Sequence, residues 1–135
     1  MSKAKRAGLL FVFVWFALGG LGHFMLTPLF VSIVPPSIPY PAAAVLVSGV
    51  FELLGALGVL WLPTRRAAGY GLAVLTLAVT PANVYMWQHP ELFPKIAPSL
   101  LGIRLVVQVL LLVCILWSTS RPDDAVATRD GKGEP

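Results

Sequence analysis

Apolar residues run almost unbroken from residue 7 to residue 118, interrupted by prolines and short polar clusters rather than by alternation. A helix crossing a hydrocarbon core of ~30 Å needs about 20 such residues. Four stretches meet that length: 7–27, closed by Pro28; 41–62, bracketed by Pro41 and Pro63; 67–88; and 98–118. Proline fits the first turn of a helix and breaks its interior, so these prolines mark ends. The links are a proline-rich stretch at 34–41, a tight turn at 63–66 and a polar loop at 89–94. The runs lack the two-residue period of a membrane barrel, which needs eight or more strands. The pattern therefore predicts an all-α, polytopic membrane protein, a four-transmembrane-helix bundle over 1–120. A charged, polar tail at 121–135 is expected to be disordered.

Composition narrows the class further. Of 135 residues, 57% are hydrophobic and 12% charged. Ten of the sixteen charged side chains lie in 1–6 and 121–135, leaving six for the 114 residues between. A water-soluble domain cannot cover its surface that way. The net charge of +4 is not a basic patch interleaved with aromatics, so no nucleic-acid partner is expected. Instead the cations flank the spans. Lys3, Lys5, Arg6, Arg65, Arg66 and Arg121 fall on one side and only Lys95 on the other. This bias predicts an inner (plasma) membrane protein with both termini and the 63–66 turn in the cytoplasm. Trp61, Tyr70 and Trp117 would form the inner aromatic belt, and Tyr40, Tyr85, Trp87 and Phe93 the outer. A rival reading takes 1–19 as a signal peptide cleaved after Gly19, leaving three spans. The lone Cys114 forms no internal disulfide and no C-x-x-C motif.

Few polar groups lie within the spans, and ionisable ones at such depth usually face the bundle interior. Glu52 is roughly 15 Å into the second span, near the midplane. Ser48, Gly49, Gly55 and Ala56 surround it at helical spacing and let another helix come close. It reads as a proton carrier, a ligand anchor or an acid/base group, or else as a structural partner for a cation. Arg104 lies about 9 Å into the fourth span, with Gln108 one turn deeper. Arg104 either snorkels to the headgroups or pairs with Glu52, and depth matching favours the pair. Pro81 cannot donate to the carbonyl of Leu77, so a helix kink is expected there. Thr76, Thr80, Asn83 and Trp87 form one helical stripe beside it. Asn83 is a ligand-contacting or interhelical hydrogen-bonding group. His23, near the end of the first span, shares a face with Gly19, Gly20 and Thr27 and reads as a packing histidine or a ligand contact. His23, Glu52, Asn83 and Arg104 come one from each span and all fall in the same half of the bundle. With Gln108 they predict a polar pocket or buried network in the outer half, lined by aromatics such as Phe24, Phe51 and Trp87. No nucleotide-binding glycine motif, nucleophile elbow or metal-ligand cluster is present in the sequence.

The run Gly22, His23, Phe24, then Ile33 to Pro35 and Ile38 to Pro41, then Ser48 to Gly55 around Glu52, resembles the DoxX family of small membrane proteins. Pro63 to Arg66, Pro81 to Asn83 with Met86, and Arg104 with Gln108 continue the resemblance. Val106 stands where relatives often carry proline, so a straighter fourth helix is expected. The resemblance implies a four-helix membrane bundle associated with membrane redox systems. It makes a lipophile-binding or accessory subunit the leading expectation, with a quinone as a candidate ligand and no other cofactor evident. Partners would be the lipid bilayer, a lipophilic small molecule or a membrane redox protein, with a homo-oligomer left open. Two alternatives remain: an enzyme performing isomerase-like acid/base chemistry on a lipophilic substrate, and a small proton-coupled transporter.

Overall fold

The structure, a computed structural model, describes residues 1–120. The tail at 121–135 lies outside the described residues. The described chain is helical with no strand: α1 (Lys3–Met25), α2 (Thr27–Ser32), α3 (Pro41–Leu60), α4 (Leu62–Ala78), α5 (Thr80–Gln88) and α6 (Pro98–Thr119), with a 3₁₀ turn at Pro90–Leu92. α1, α3 and α6, and α4 with α5 taken together, give four helices long and apolar enough to cross a membrane. They pack as a ring, α1 against α3, α3 against α4, α4 against α6, and α6 back against α1.

The buried positions follow helical periodicity on each helix. They are Leu9, Val12, Phe16, Gly20 and His23 on α1, and Val45, Gly49, Glu52, Ala56 and Val59 on α3. On α6 they include Leu101, Gln108, Leu111 and Ile115. Steps of three and four keep one stripe facing the bundle axis. The outer stripes are equally apolar. Leu18, Val74 and Leu110 are each more than 60% exposed, and only 22–28% of each long helix's most apolar window is buried. Patches of this extent are foreign to the surface of a soluble monomer.

Both described ends of the chain meet at one end of the bundle. Lys5 Nζ donates to Ser120 Oγ at 2.8 Å and to the Ser120 carbonyl at 3.2 Å. The turn between α3 and α4 lies at the end of the helices shared by these termini. Arg65 Nε donates to the Val59 carbonyl at 2.7 Å and Thr64 Oγ1 to that of Gly58 at 2.7 Å. These side chains occupy carbonyls that the last turn of α3 leaves without amide partners.

Two expectations about the links need correction, and the kink expected at Pro81 takes a definite form. The turn foreseen at 63–66 is the first turn of α4, because Pro63 is preset for a helix start and extended Trp61 alone makes the corner. Pro28 does not simply end a span. It opens α2, and Thr27 Oγ1 donates to the carbonyls of His23 (2.7 Å) and Phe24 (3.2 Å) across the break. At Pro81 the expected kink takes the form of a one-residue interruption at Val79, which keeps αR dihedrals (φ −87°, ψ −5°), and α5 follows with Pro81 in its first turn. The proline-rich link ends on Tyr40 in the left-handed region (φ 52°, ψ 59°), from which Pro41 begins α3.

Candidate functional site

The bundle is filled at its terminal end and opens toward the α2 end. Leu9, Val12, Phe16, Ala56, Val59, Leu72, Leu111 and Ile115 close the first half as a packed core. Beyond it lies a cavity of about 1060 Å³, reached by His23, Glu52, Asn83, Arg104 and Gln108. Its walls are otherwise mostly apolar, with Phe16, Phe30, Val34, Ile38, Ile103 and Val107 among them. The five polar residues singled out in the sequence thus converge on one space.

They form two separate groups. In the first, His23 Nε2 lies 3.3 Å from Glu52 Oε1, and both side chains are almost wholly buried. The other ring nitrogen, Nδ1, is 2.7 Å from the Val45 carbonyl oxygen and 3.0 Å from Ser48 Oγ. A carbonyl oxygen only accepts, so Nδ1 carries a hydrogen and donates it there. The contact between Nε2 and Oε1 then holds one further proton, on the ring as Nε2–H or on the carboxyl as O–H. In either form the pair is neutral overall, which suits an apolar surrounding. Phe30 of α2 lies over the imidazole with ring centroids 4.3 Å apart. Close helix approach makes this geometry available. A Cβ at Gly49 would lie 2.7 Å from His23 Cβ, and one at Gly19 would lie 2.8 Å from Glu52 Oε2. A larger residue at Gly49 would force α1 and α3 apart, and one at Gly19 would push the Glu52 carboxyl aside.

The second group belongs to α4, α5 and α6. Arg104 Nη2 donates to Asn83 Oδ1 at 3.2 Å, and Asn83 Nδ2 donates to Gln108 Oε1 at 2.5 Å. Gln108 Nε2 donates to Thr80 Oγ1 and to the Thr76 carbonyl, the latter at 3.3 Å. Thr80 Oγ1 also donates to that carbonyl, at 3.1 Å. The break before Pro81 does free a backbone acceptor, as expected. The one used is the Thr76 carbonyl, one residue before that of Leu77, because the interruption at Val79 falls two residues before Pro81. Two side-chain donors replace the amide it lost.

The expected Glu52–Arg104 pair does not form. α3 and α6 sit diagonally across the ring, whereas the glycines of α1 and α3 deliver His23 directly to Glu52. Arg104 turns to α5 instead, and among the described residues no carboxylate lies within ion-pairing distance of it. The aromatic lining also differs from expectation. Phe11, Trp15, Phe16 and Phe30 line the cavity, whereas Phe24 and Trp87 do not reach it and Phe51 lines the space between α3 and α4. Trp87 thereby leaves the polar stripe it shares with Thr76, Thr80 and Asn83. Sequence reasoning missed α2 and its Phe30 contact; the Thr27–Pro28 pair, a common helix opening, was the available signal. His89 remains in the loop, where its Nδ1 faces Glu91 Oε1 at 3.3 Å. The Glu91 carboxyl is held below the usual carboxylate range first by its own backbone amide and then by His89. No cluster of three metal-ligating side chains occurs among the described residues.

A second cavity, about 920 Å³, lies between α3 and α4 against Gly55, Gly58, Ala68, Gly71, Trp61 and Tyr70. It carries no acidic or basic side chain and stands apart from the polar groups.

The profile of a family described as a domain of unknown function, DUF8561, matches residues 12–120. The chain belongs to that family. The matched region of this DUF8561 protein takes in both polar groups and nearly all of the helical bundle. No curated protein and no solved structure matches the chain.

Proposed function

We propose that this chain is a DoxX-like integral membrane protein that holds a lipophilic molecule in the cavity at the α2 end of its bundle. The four long helices would cross the plasma membrane with both termini cytoplasmic, in keeping with the apolar outer stripes and the basic residues gathered at one end. The cavity would then open in the outer half of the bilayer. One observation carries the reading: an apolar space of ligand size on which a neutral His–Glu pair and an Arg–Asn–Gln chain converge. Small-molecule sites have this composition, mostly apolar walls with a few placed polar groups, and volumes of about 300–1,000 Å³. A quinone is a candidate occupant, and the protein would serve as an accessory subunit of a membrane redox system.

The test is purification in mild detergent followed by solvent extraction and mass spectrometry. A discrete lipophile, near one per chain and lost when the cavity is filled by Val107→Phe, is the expected result. Extracts of the wild type and the filled variant that show only the same bulk lipids would refute the reading.

A second reading has its own observation. Because the Val45 carbonyl anchors Nδ1–H, the proton between Nε2 and Glu52 is the one free to move toward a bound molecule. That arrangement suits general acid/base chemistry on a lipophilic substrate. Incubating the extracted molecule with the protein in deuterated water would reveal carbon-bound deuterium if it operates. Deuterium uptake unchanged by Glu52→Gln would dismiss it.

A further inference from the structure

We infer that the occupant of this cavity is an amphiphile with a single negatively charged head, seated on Arg104, and an apolar body lying along the cavity wall. The inference rests on the ligand-binding reading above and narrows its ligand class to an anionic amphiphile in place of a neutral quinone.

The argument is one of charge. Glu52 and His23 satisfy each other and together carry no net charge. Asn83, Gln108, Thr76 and Thr80 are neutral, so Arg104 leaves the cavity with a net charge of +1. Arginine does not lose its proton in proteins, and a guanidinium has five N–H donors. Among the described residues Arg104 has a single acceptor, Asn83 Oδ1, which is itself neutral. Through Asn83 and Gln108 one end of the guanidinium, Nη2, is linked to the Thr76 carbonyl, and the exposed side chain keeps most of its donors available. A planar fork held this way matches a carboxylate or phosphate, which accepts two parallel N–H bonds. The walls beside it, Leu100, Ile103 and Val107 on α6 with Val79 and Ala82 across from them, offer only apolar contact. A neutral lipophile would fill the same walls and leave the cation uncompensated. A small hydrophilic anion would satisfy Arg104 and leave the walls bare.

The shared chemistry admits two sources: a free long-chain carboxylate, or a phospholipid whose phosphate reaches Arg104 with one chain in the cavity. The experiment uses the full chain purified in dodecyl maltoside, which brings neither charge nor phosphate. Radiolabelled palmitate is compared with hexadecanol, equal in chain length and neutral, and with decylubiquinone as the neutral ring probe. Phosphatidylglycerol is added as competitor. Palmitate should bind at least about tenfold more tightly than hexadecanol, as one charge-assisted bidentate contact implies. Arg104→Gln should abolish that preference, Arg104→Lys should keep part of it, and Val107→Phe should weaken both probes. Strong displacement of palmitate by phosphatidylglycerol identifies the lipid as the source; weak displacement identifies the free acid. Equal binding of palmitate and hexadecanol, or a preference untouched by Arg104→Gln, overturns the anionic head while leaving the cavity reading in place. Tighter binding of decylubiquinone than of palmitate overturns it as well. Failure of every probe, with no effect of Val107→Phe, overturns both. If Arg104→Gln does not fold, the palmitate-to-hexadecanol ratio of the wild type decides alone.

Discussion

The His23–Glu52 contact makes the sharpest energetic claim, because each partner can be removed while leaving the other a definable fate. In Glu52→Gln the amide can still donate to Nε2 while Nδ1–H stays on the Val45 carbonyl. A charge-assisted bond worth ~1.5–3 kcal/mol becomes a neutral one worth ~0.5–1.5, so the loss should be about 1 kcal/mol. In His23→Phe the ring contact with Phe30 can persist, but both ring hydrogen bonds vanish. The Val45 carbonyl keeps Ser48 Oγ at 2.9 Å as a donor, so the main cost is a buried carboxyl without a partner, roughly 2–4 kcal/mol. The double variant should recover about 1 kcal/mol relative to additivity, the difference between the charge-assisted contact and the neutral one that glutamine keeps. Arg104→Gln combined with Glu52→Gln should instead add within ~0.5 kcal/mol, since the two side chains share a cavity but no contact. Reversible unfolding of the six proteins in one detergent, followed by far-ultraviolet circular dichroism, supplies both couplings. A His23–Glu52 coupling below ~0.5 kcal/mol, or a Glu52–Arg104 coupling above that of His23, would refute the assignment of partners.

Other consequences can be checked separately. Gly49→Ala places a methyl against His23 and Phe24 and should cost about 1–3 kcal/mol through overpacking, read as a lowered midpoint in thermal unfolding. Asn83→Leu removes the donor to Gln108 and the acceptor of Arg104, and should cost about 1–3 kcal/mol in the same assay. The proposed topology is testable by single-cysteine labelling in a Cys114→Ser background. Positions 63–66 should resist an impermeant reagent in intact cells, while 34–40 and 89–94 should react; the opposite pattern would reverse the orientation.

Local features of the chain set the helical class, the four long apolar helices and the polar side chains that share a cavity. Each of these follows from local quantities: run length, proline placement, and the three-and-four spacing that puts His23 with Gly19 and Glu52 with Gly49 on inward faces. Partner choice was not local. Depth along the helices placed Glu52 level with Arg104, but depth says nothing about which helices touch. The ring order set α1 beside α3 and α6 across from it, so Glu52 met His23 and Arg104 met Asn83. The same order kept Phe24, Phe51 and Trp87 out of that cavity, although each lies within a turn of a cavity residue. The ends of the helices depended on hydrogen bonds that cross the breaks: Thr27 spanning the gap before Pro28, Arg65 closing α3, Gln108 reaching the Thr76 carbonyl. A side chain that satisfies a distant carbonyl lets a proline start a new helix where periodicity alone would have ended a span. Tertiary structure thereby decided both the boundaries and the pairing, because both turn on contacts between residues far apart in the chain.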